Sequence, residues 1–198
     1  MTYDVPAIAA LARQCAPEIA AEAVVPLVMT ESGGDPLRIN VNRGPRVRAR
    51  SASEGTAIVR RYMAAGYTVD VGLAQINSAN FDRLGATIEQ AFEPCTNLKF
   101  AAITLQEGFG RAARFYTGLD AISATYSLYN TGTLTRGFQN GYVDRVWTAA
   151  TKLGLVDGAP ASPVPASTGS SAPRPSTPAD RDRWVVGQVS PSVVVVFR

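Results

Sequence analysis

Glu31 is the residue of this sequence best suited to proton transfer. It follows an apolar run at positions 20–29 and opens the stretch ESGGDP at 31–36. Glycine after a helical run signals a helix C-terminus, and a proline just beyond prevents continuation. Glu31 is therefore predicted in the last turn of a buried helix, where desolvation raises the pKa of a carboxyl group and suits it to general acid catalysis. The alternative is a solvated glutamate at a helix end.

A second stretch, DVGLAQINS at 70–78, carries groups that suit a sugar. Gln75 and Asn77 alternate with apolar residues, which predicts two amides pointing together from one strand. Amides donate and accept hydrogen bonds, as sugar hydroxyl and acetamido groups require. Gly72 would let the backbone pass close to another group. The alternative is an edge strand with a polar face.

A third stretch, YNTG at 129–132, ends a predicted helix. Tyr129 can hydrogen-bond a carboxyl group while its ring shields that group from water. Asn130 and Gly132 are typical of a helix C-cap. The alternative is a plain helix cap with tyrosines packed in the core.

The composition excludes several catalytic classes. The chain of 198 residues has no histidine and two cysteines, which excludes Ser-His and Cys-His catalysis, histidine metal sites and Cys-rich zinc sites. We therefore expect no metal and no cofactor, and carboxylates are the leading catalytic candidates. The net charge of +3 and the pI near 9.1 suit an anionic polymer but are too weak to indicate nucleic acid.

The two cysteines, Cys15 and Cys95, leave two readings open. They can form one disulfide that closes a loop of about 80 residues and stabilises the fold by about 4 kcal/mol in the chain-entropy model, or remain two buried free thiols. No run of 18 apolar residues predicts a transmembrane segment. The N-terminus has no basic region, so an ordinary secretory signal is not visible.

The elements that must position these residues are mostly helices. The helical pattern covers about 5–14, 20–31, 51–65, 96–115, 120–129 and 141–153. Pro26 predicts a kink or a later start of the second helix. Residues 37–50 predict a short hairpin or an irregular loop with solvated arginines, and residues 68–72 a short strand. The fold class is therefore α+β, mostly α, with a small β-hairpin region.

The composition changes near the C-terminus. We predict a catalytic domain at 1–156, a flexible Pro/Ser/Ala-rich linker at 157–183 and a β-prone, Val-rich tail at 184–198. The tail has strong β formers that can pair with the edge of a sheet in this chain or in a partner. The alternative is a poorly ordered tail.

Taken in order, ESGGDP at 31–36, GLAQIN at 72–77 and YNTG at 129–132 resemble the motifs of lytic transglycosylases. The stretches CAP at 15–17, VDVG at 69–72 and PCTNL at 94–98 resemble the subfamily that accompanies type IV secretion and conjugation systems. The resemblance covers about residues 10–150. Ala74 departs from it, since the family more often has Met or a larger apolar residue there, which leaves the pocket volume open.

The resemblance implies a lysozyme-like fold, a bonded Cys15–Cys95 pair and a location in the periplasm or cell envelope. Its implied substrate is the glycan strand of peptidoglycan, cleaved at the β-1,4 bond between N-acetylmuramic acid and N-acetylglucosamine. Glu31 would protonate the glycosidic oxygen and then take the proton of the muramyl 6-hydroxyl as a 1,6-anhydro ring closes. Type IV secretion channel components are the partners expected for the C-terminal tail.

The resemblance also implies roles around Glu31. Ser32 would orient it or bind the sugar, and Gln75 would contact the acetamido or peptide side of the substrate. Tyr129 would hold and desolvate Glu31. The remaining residues implied in substrate binding are Gly72, which would make room for the glycan, Asn77, Asn130, which would support Tyr129, and Tyr142, which would line the cleft.

Asp70 leaves the chemistry of the product open. The stretch at 68–78 also resembles the strand of animal lysozymes that carries their second carboxylate, and two carboxylates across a glycosidic bond permit hydrolysis. Asp70 is thus either a catalytic helper, which allows a lysozyme-type hydrolase, or a structural residue of the turn. A non-catalytic glycan-binding scaffold on the same fold is the other alternative.

Overall fold

The computed structural model describes residues 2–157. The predicted linker, all but its first residue, and the predicted tail with its strand pairing lie outside the described residues. The chain divides into two compact units, with the boundary between Ile103 and Thr104. This boundary falls within the region predicted as one catalytic domain, 1–156, which stays a prediction.

The described elements are mainly helices. The first unit contains α1 Val5–Cys15, α2 Ala21–Glu31, α3 Ala52–Ala64, α4 Phe81–Leu84 and α5 Ile88–Phe92, with strands β1 Ile39–Val41, β2 Val69–Val71 and β3 Ile76–Asn77. Helix α6, Pro94–Ala112, contains the boundary, and α7 Gly118–Thr131, α8 Arg136–Gln139 and α9 Tyr142–Lys152 follow. The predicted fold class, a mostly helical, lysozyme-like α+β fold with a small β region, is confirmed.

Helices α1 and α2 pack against each other and place the end of α2. Asp4 caps α1 by accepting a hydrogen bond from the backbone N–H of Ala7 at 2.9 Å. Helix α2 begins at Ala21, so Pro26 lies inside it and does not delay its start. The helix is buried from Ala23 through Val28, which fixes the position of the turn that carries Glu31.

The three strands form one antiparallel sheet in the order β1-β2-β3. Strand β1 pairs with β2, with Ile39 opposite Val71, so the hairpin offered for residues 37–50 is absent and residues 45–49 have no regular secondary structure. Pro45 lacks the N–H donor that a returning strand would need. The apolar residues of the sheet are buried, and the other face carries the aligned polar residues Asn40, Asp70 and Asn77.

Cys15 and Cys95 are bonded, with their Cα atoms 5.3 Å apart. The disulfide joins the last residue of α1 to the first turn of α6 and spans a sequence separation of 80. The bonded pair implied by the family resemblance is therefore present. A loop of this length corresponds to a stabilisation of about 4 kcal/mol in the chain-entropy model.

Helix α6 starts earlier than the sequence pattern predicted. Pro94 is its first residue rather than a break before it, because the missing N–H of proline costs nothing in the first turn. Glu93 precedes the helix, and its carboxylate accepts hydrogen bonds from the backbone N–H groups of Cys95, at 3.2 Å, and Thr96. Glu93 thus caps the helix that the disulfide also holds.

In the second unit, α7 packs against α8 and α9. Helix α7 begins at Gly118, two residues before the predicted start at 120, so Asp120 lies in its first turn. The ring of Trp147 in α9 lies edge-on to that of Tyr126 in α7, and its indole N–H donates to the Ser123 hydroxyl at 2.9 Å. Burial raises the pKa of Tyr126.

The cap at Glu93 predicts a pH-dependent contribution to stability. Desolvation, the largest contribution, raises the pKa of Glu93, but the hydrogen bonds from Thr96 and Cys95, with the charge of Lys99, hold that pKa below its usual value. A lowered pKa stabilises the fold above the unfolded pKa, and the stabilisation is lost as the pH falls through the folded value. We expect Glu93→Gln to lower the free energy of unfolding by about 1 kcal/mol at pH 7, with the difference from the parent shrinking towards pH 3.

The measurement is urea unfolding of parent and variant at several pH values. Glu18→Gln is the matched control, because Glu18 makes no side-chain hydrogen bond among the residues that the structure describes. A Glu93→Gln difference that stays constant from pH 7 to pH 3 would contradict the capping role.

Candidate active site

Glu31 is the last residue of α2 and is half-buried, as the sequence predicted. Ser32 follows as the C-cap, and its hydroxyl donates to the carbonyl oxygen of Val28 at 3.3 Å and accepts from the N–H of Gly34 at 3.1 Å. The hydroxyl of Ser32 therefore closes the helix end that carries Glu31. Its contact with a sugar stays a prediction.

The two glycines after Ser32 determine the backbone conformation of this turn. Gly33 and Gly34 have φ values of 64° and 85°, which residues with a side chain rarely adopt. A Cβ at Gly34 would also collide with the carbonyl oxygen of Tyr3. The Tyr3 N–H donates to the Gly34 carbonyl oxygen at 2.8 Å, so the N-terminal segment holds the turn from one side.

A single carbonyl group links this turn to the second motif. The N–H of Arg38 donates to the carbonyl oxygen of Asp35 at 3.3 Å, and the N–H of Asp35 donates to the carbonyl oxygen of Ser32 at 3.4 Å. The carbonyl oxygen of Arg38 then accepts from the N–H of Gly72 at 2.9 Å and from Nε2 of Gln75 at 3.1 Å. No sequence motif marks Arg38, because its contribution is a main-chain atom.

Gln75 does not lie on a strand, so the prediction of two amides side by side is wrong. Residues 72–75 form a turn between β2 and β3, and Gln75 has a left-handed φ of 52°. Its Nε2 donates to the carbonyl oxygens of Gly72 and Arg38, which sets the orientation of the amide. Within residues 2–157 no donor bonds to its Oε1, so this oxygen can accept a hydrogen bond from a ligand.

The packing of the protein itself requires a glycine at position 72. Its φ is 81°, and a Cβ there would collide with the carbonyl oxygen of Ala91 and with Nδ2 of Asn97. Asn97 is fully buried: its Nδ2 donates to Val71 at 2.9 Å and to Ala91 at 2.7 Å, and its Oδ1 accepts from Ala74 N–H at 2.8 Å. Gly72 therefore packs closely against Asn97, and the role predicted for it, making room for the glycan, stays a prediction.

Asn97 was missed as a site residue, although the stretch PCTNL at 94–98 contains it. The available signal was an asparagine on an otherwise apolar helix face, since a buried amide must find hydrogen-bond partners. Ala74 is also fully buried. Its departure from the family pattern therefore affects core packing.

Asp70 lies at the middle of the sheet, between two asparagines on its polar face. One carboxylate oxygen accepts from Nδ2 of Asn40 at 2.9 Å, and the other accepts from Nδ2 of Asn77. Asn77 also accepts from the N–H of Ala79 at 2.9 Å and so caps the following turn. These contacts match the structural reading of Asp70, and they involve Asn77 in holding the sheet. Asn40 was not predicted, because nothing local marks it as the cross-strand partner of Asp70.

The other predicted site residues lie in the second unit. Tyr129 is half-buried near the end of α7, and Gly132, with a φ of 71°, is the C-cap, so Asn130 is not part of the cap. Asn130 instead accepts a hydrogen bond from Nδ2 of Asn140 at 2.9 Å. Tyr142 is 2% exposed, which leaves it little surface for lining a cleft.

Asn140 is a further residue that the sequence reading missed. Besides donating to Asn130, it accepts from the N–H of Tyr142 at 2.9 Å through its Oδ1. The guanidinium group of Arg145 lies over the Tyr142 ring, 5.7 Å from its centre. Asn140 thus links Asn130 and Tyr142, which the sequence analysis had named as separate site residues.

The described residues contain neither a cluster suited to a metal ion nor a helix suited to a lipid bilayer. Between residues 2 and 157, no group of three or more Cys, Asp or Glu side chains is placed to hold a metal ion. No helix in the same range is long and apolar enough to cross a lipid bilayer.

Comparisons with known proteins agree with the geometry. Residues 9–149 match the family model of the transglycosylase SLT domain. The chain is 38% identical over 144 residues to Protein virB1 of Rhizobium radiobacter, covering 72% of this chain and 60% of that protein. It is 35% identical over 148 residues to Type IV secretion system protein virB1 of Brucella abortus, covering 71% and 62%.

The chain therefore spans about 60% of the length of these curated relatives. No solved structure matches it significantly.

The hydrogen bonds of Asn97 predict a large loss of stability on its removal. Asn97→Ala removes three buried hydrogen bonds, those to the carbonyl oxygens of Val71 and Ala91 and that from the N–H of Ala74, and each buried hydrogen bond contributes about 1 kcal/mol. We expect the free energy of unfolding to fall by about 3 kcal/mol, measured by urea unfolding. Asn80→Ala is the control, because the side chain of Asn80 makes no hydrogen bond among residues 2–157. Equal losses in the two variants would contradict the role assigned to Asn97.

Proposed function

The chain belongs to the transglycosylase SLT domain family, and we propose that it cleaves peptidoglycan glycan strands as a lytic transglycosylase. The observation that carries this proposal is the placement of Glu31. A half-buried carboxyl group ends a buried helix, and the turn after it is tied through the Arg38 carbonyl to a turn that presents a free amide oxygen. Hydrogen bonds through the Arg38 carbonyl therefore link the proposed proton donor to the proposed sugar-binding group.

In the proposed reaction Glu31 performs both proton transfers. As an acid it protonates the oxygen of the β-1,4 bond, and the bond between that oxygen and C1 of N-acetylmuramic acid breaks. As a base it then takes the proton of the 6-hydroxyl group of the same sugar, whose oxygen forms a bond to C1. The product carries a 1,6-anhydro ring, no water is consumed, and Glu31 ends protonated for the next cycle.

The turn at 72–75 supports substrate binding in this proposal. Nε2 of Gln75 already donates to two carbonyl oxygens, so Oε1 is the atom of this amide that can face a ligand. Oε1 accepts hydrogen bonds. The N–H of an acetamido group is a matching donor. The closed helix end at Ser32 restricts movement of Glu31, which lowers the entropy lost when the reacting atoms are aligned. Tyr129 is proposed to desolvate Glu31.

We assign Asp70 a structural role. Both of its oxygens already accept hydrogen bonds from asparagine amides, and a substrate that supplies its own nucleophile needs no second carboxylate. The lysozyme-type alternative, in which Asp70 assists attack by water, is distinguished by the product.

The relatives suggest a setting for this reaction. Two of them are named as virB1 proteins, one of them as a type IV secretion system protein. We propose that this chain opens the cell wall locally, in the periplasm, for assembly of such an apparatus. The Val-rich segment at 184–198 is proposed to recruit channel components, after a linker at 157–183. A pull-down with and without residues 157–198 tests this recruitment.

Replacement of Glu31 tests the catalytic assignment. Glu31→Gln cannot transfer the proton, and general acid–base catalysis contributes about 10²–10⁴-fold, so we expect a loss of cell-wall cleavage of about 10³-fold. Glu22→Gln on the same helix is the control and should retain activity. The readout is the release of soluble fragments from purified cell walls, with mass spectrometry of the products.

Parent products lighter by one water molecule than hydrolysed fragments support the transglycosylase, whereas reducing ends indicate a hydrolase. If Glu31→Gln releases fragments as fast as the parent, Glu31 is not the catalytic acid.

Replacement of Asp70 separates its two roles. In Asp70→Asn an amide faces the Nδ2 groups of Asn40 and Asn77, so one hydrogen bond is lost at a cost of about 1 kcal/mol. We expect the variant to unfold at slightly lower temperature but to keep its activity within a few-fold of the parent at 25 °C. A 10²-fold loss of activity in a folded variant would identify Asp70 as a catalytic residue.

A further inference from the structure

A groove of about 950 Å³ lies beside the turn that follows Glu31. Its wall is formed by β1 and by the irregular segment after it, and its polar lining consists of Asp35, Arg38, Asn40, Arg46 and Arg48. All of these residues belong to the first unit. None of them was assigned a function by the sequence motifs.

Among residues 2–157, the guanidinium groups that line the groove, those of Arg38, Arg46 and Arg48, form no salt bridge. The segment RGPRVRAR at 43–50 contains four arginines and no acidic residue. Among residues 2–157 no carboxylate lies within salt-bridge distance of these arginines or of Arg38; the one salt bridge described joins Arg60 to Glu89 at 2.9 Å. The acidic residue of the groove, Asp35, accepts a hydrogen bond from the N–H of Leu37 at 2.9 Å. Neighbouring like charges repel, so an anionic ligand would be bound favourably.

The arrangement of the arginines suits an extended ligand with several carboxylates. Residues 45–49 run without a turn or bend, and exposed Arg46 and Arg48 alternate with half-buried Val47 and Ala49. Residues two apart in an extended segment are separated by about 7 Å. A guanidinium group binds a carboxylate through two parallel hydrogen bonds. The row of arginines therefore matches carboxylates spaced along a peptide.

The groove is continuous with the candidate catalytic turn. Asp35 lies four residues after Glu31, and the main chain of Arg38 carries the hydrogen bonds to Gly72 and Gln75. A ligand in the groove and a sugar at Glu31 would therefore contact the same short segment. The peptides that branch from peptidoglycan glycan strands carry free carboxylates, and they are attached to the muramic acid residues that the reaction cleaves.

We propose that this arginine groove binds the carboxylate-bearing peptide of the substrate and thereby places its glycan strand at Glu31. The inference rests on the proposed function, because it assumes a peptidoglycan substrate. The groove selects glycan that still carries its peptides over glycan from which an amidase has removed them. Arg46 and Arg48 make the contact, and they act on binding rather than on proton transfer.

Binding to cell-wall sacculi tests the groove without relying on catalysis. The full chain carrying Glu31→Gln is compared with the same chain carrying Arg46→Gln and Arg48→Gln in addition, by co-sedimentation with intact sacculi and with amidase-treated glycan. We expect binding to intact sacculi to weaken about tenfold, as for two exposed charged contacts, and binding to peptide-free glycan to be unchanged. Arg111→Gln with Arg114→Gln is the control, since it removes the same charge from exposed positions outside the groove.

Three results would overturn the proposal: no weakening on intact sacculi, equal weakening on peptide-free glycan, or equal weakening in the control pair. Thermal unfolding of each variant verifies that the fold is retained. In the active background, the Arg46→Gln, Arg48→Gln variant should raise KM on intact cell walls and leave kcat unchanged. A parent that cleaves neither substrate refutes the proposed function, while the sedimentation comparison still decides whether the groove binds peptide.

Discussion

The first unit depends on the hydrogen bonds of one buried side chain, that of Asn97. Its amide joins the start of α6 to the end of β2, to α5 and to the turn at 72–75. The same end of α6 is bonded to α1 through the disulfide and capped by Glu93. Without Asn97 the turn would leave buried N–H and C=O groups unpaired, so its geometry follows from hydrogen-bond satisfaction in the interior.

Hydrogen bonds to main-chain atoms link that turn to the segment that follows the candidate catalytic residue, Glu31. Gly72 and Gln75 both donate to the carbonyl oxygen of Arg38, and Arg38 is joined through Asp35 to the turn that begins at Ser32. Main-chain hydrogen bonds in a closed turn hold their geometry without the side-chain entropy that an exposed ion pair must lose. Main-chain hydrogen bonds therefore fix the turn that follows Glu31, the residue proposed to transfer the proton.

The polar residues of the first unit divide between two surfaces. On the sheet, Asn40, Asp70 and Asn77 satisfy one another, so this row stabilises strand pairing. In the neighbouring groove, Arg46 and Arg48 meet no carboxylate among residues 2–157, and their charges are available to a ligand. This difference supports the structural role proposed for the row and the recognition role proposed for the groove, although the sequence motifs had pointed to the row.

The sequence by itself determined what depends on neighbours along the chain. The apolar run with two glycines predicted Glu31 at a helix end, and the absence of histidine left carboxylates as the leading catalytic candidates. The tertiary structure alone decided which distant groups meet: Gln75 with Arg38, 37 residues away, and Asn97 with Ala74, 23 residues away. Caps and periodicity act over a few residues, whereas a buried amide takes whichever partners the packing of separate elements brings to it. For that reason the helix carrying Glu31 was predictable, and the contacts that fix the turn at 72–75 were not.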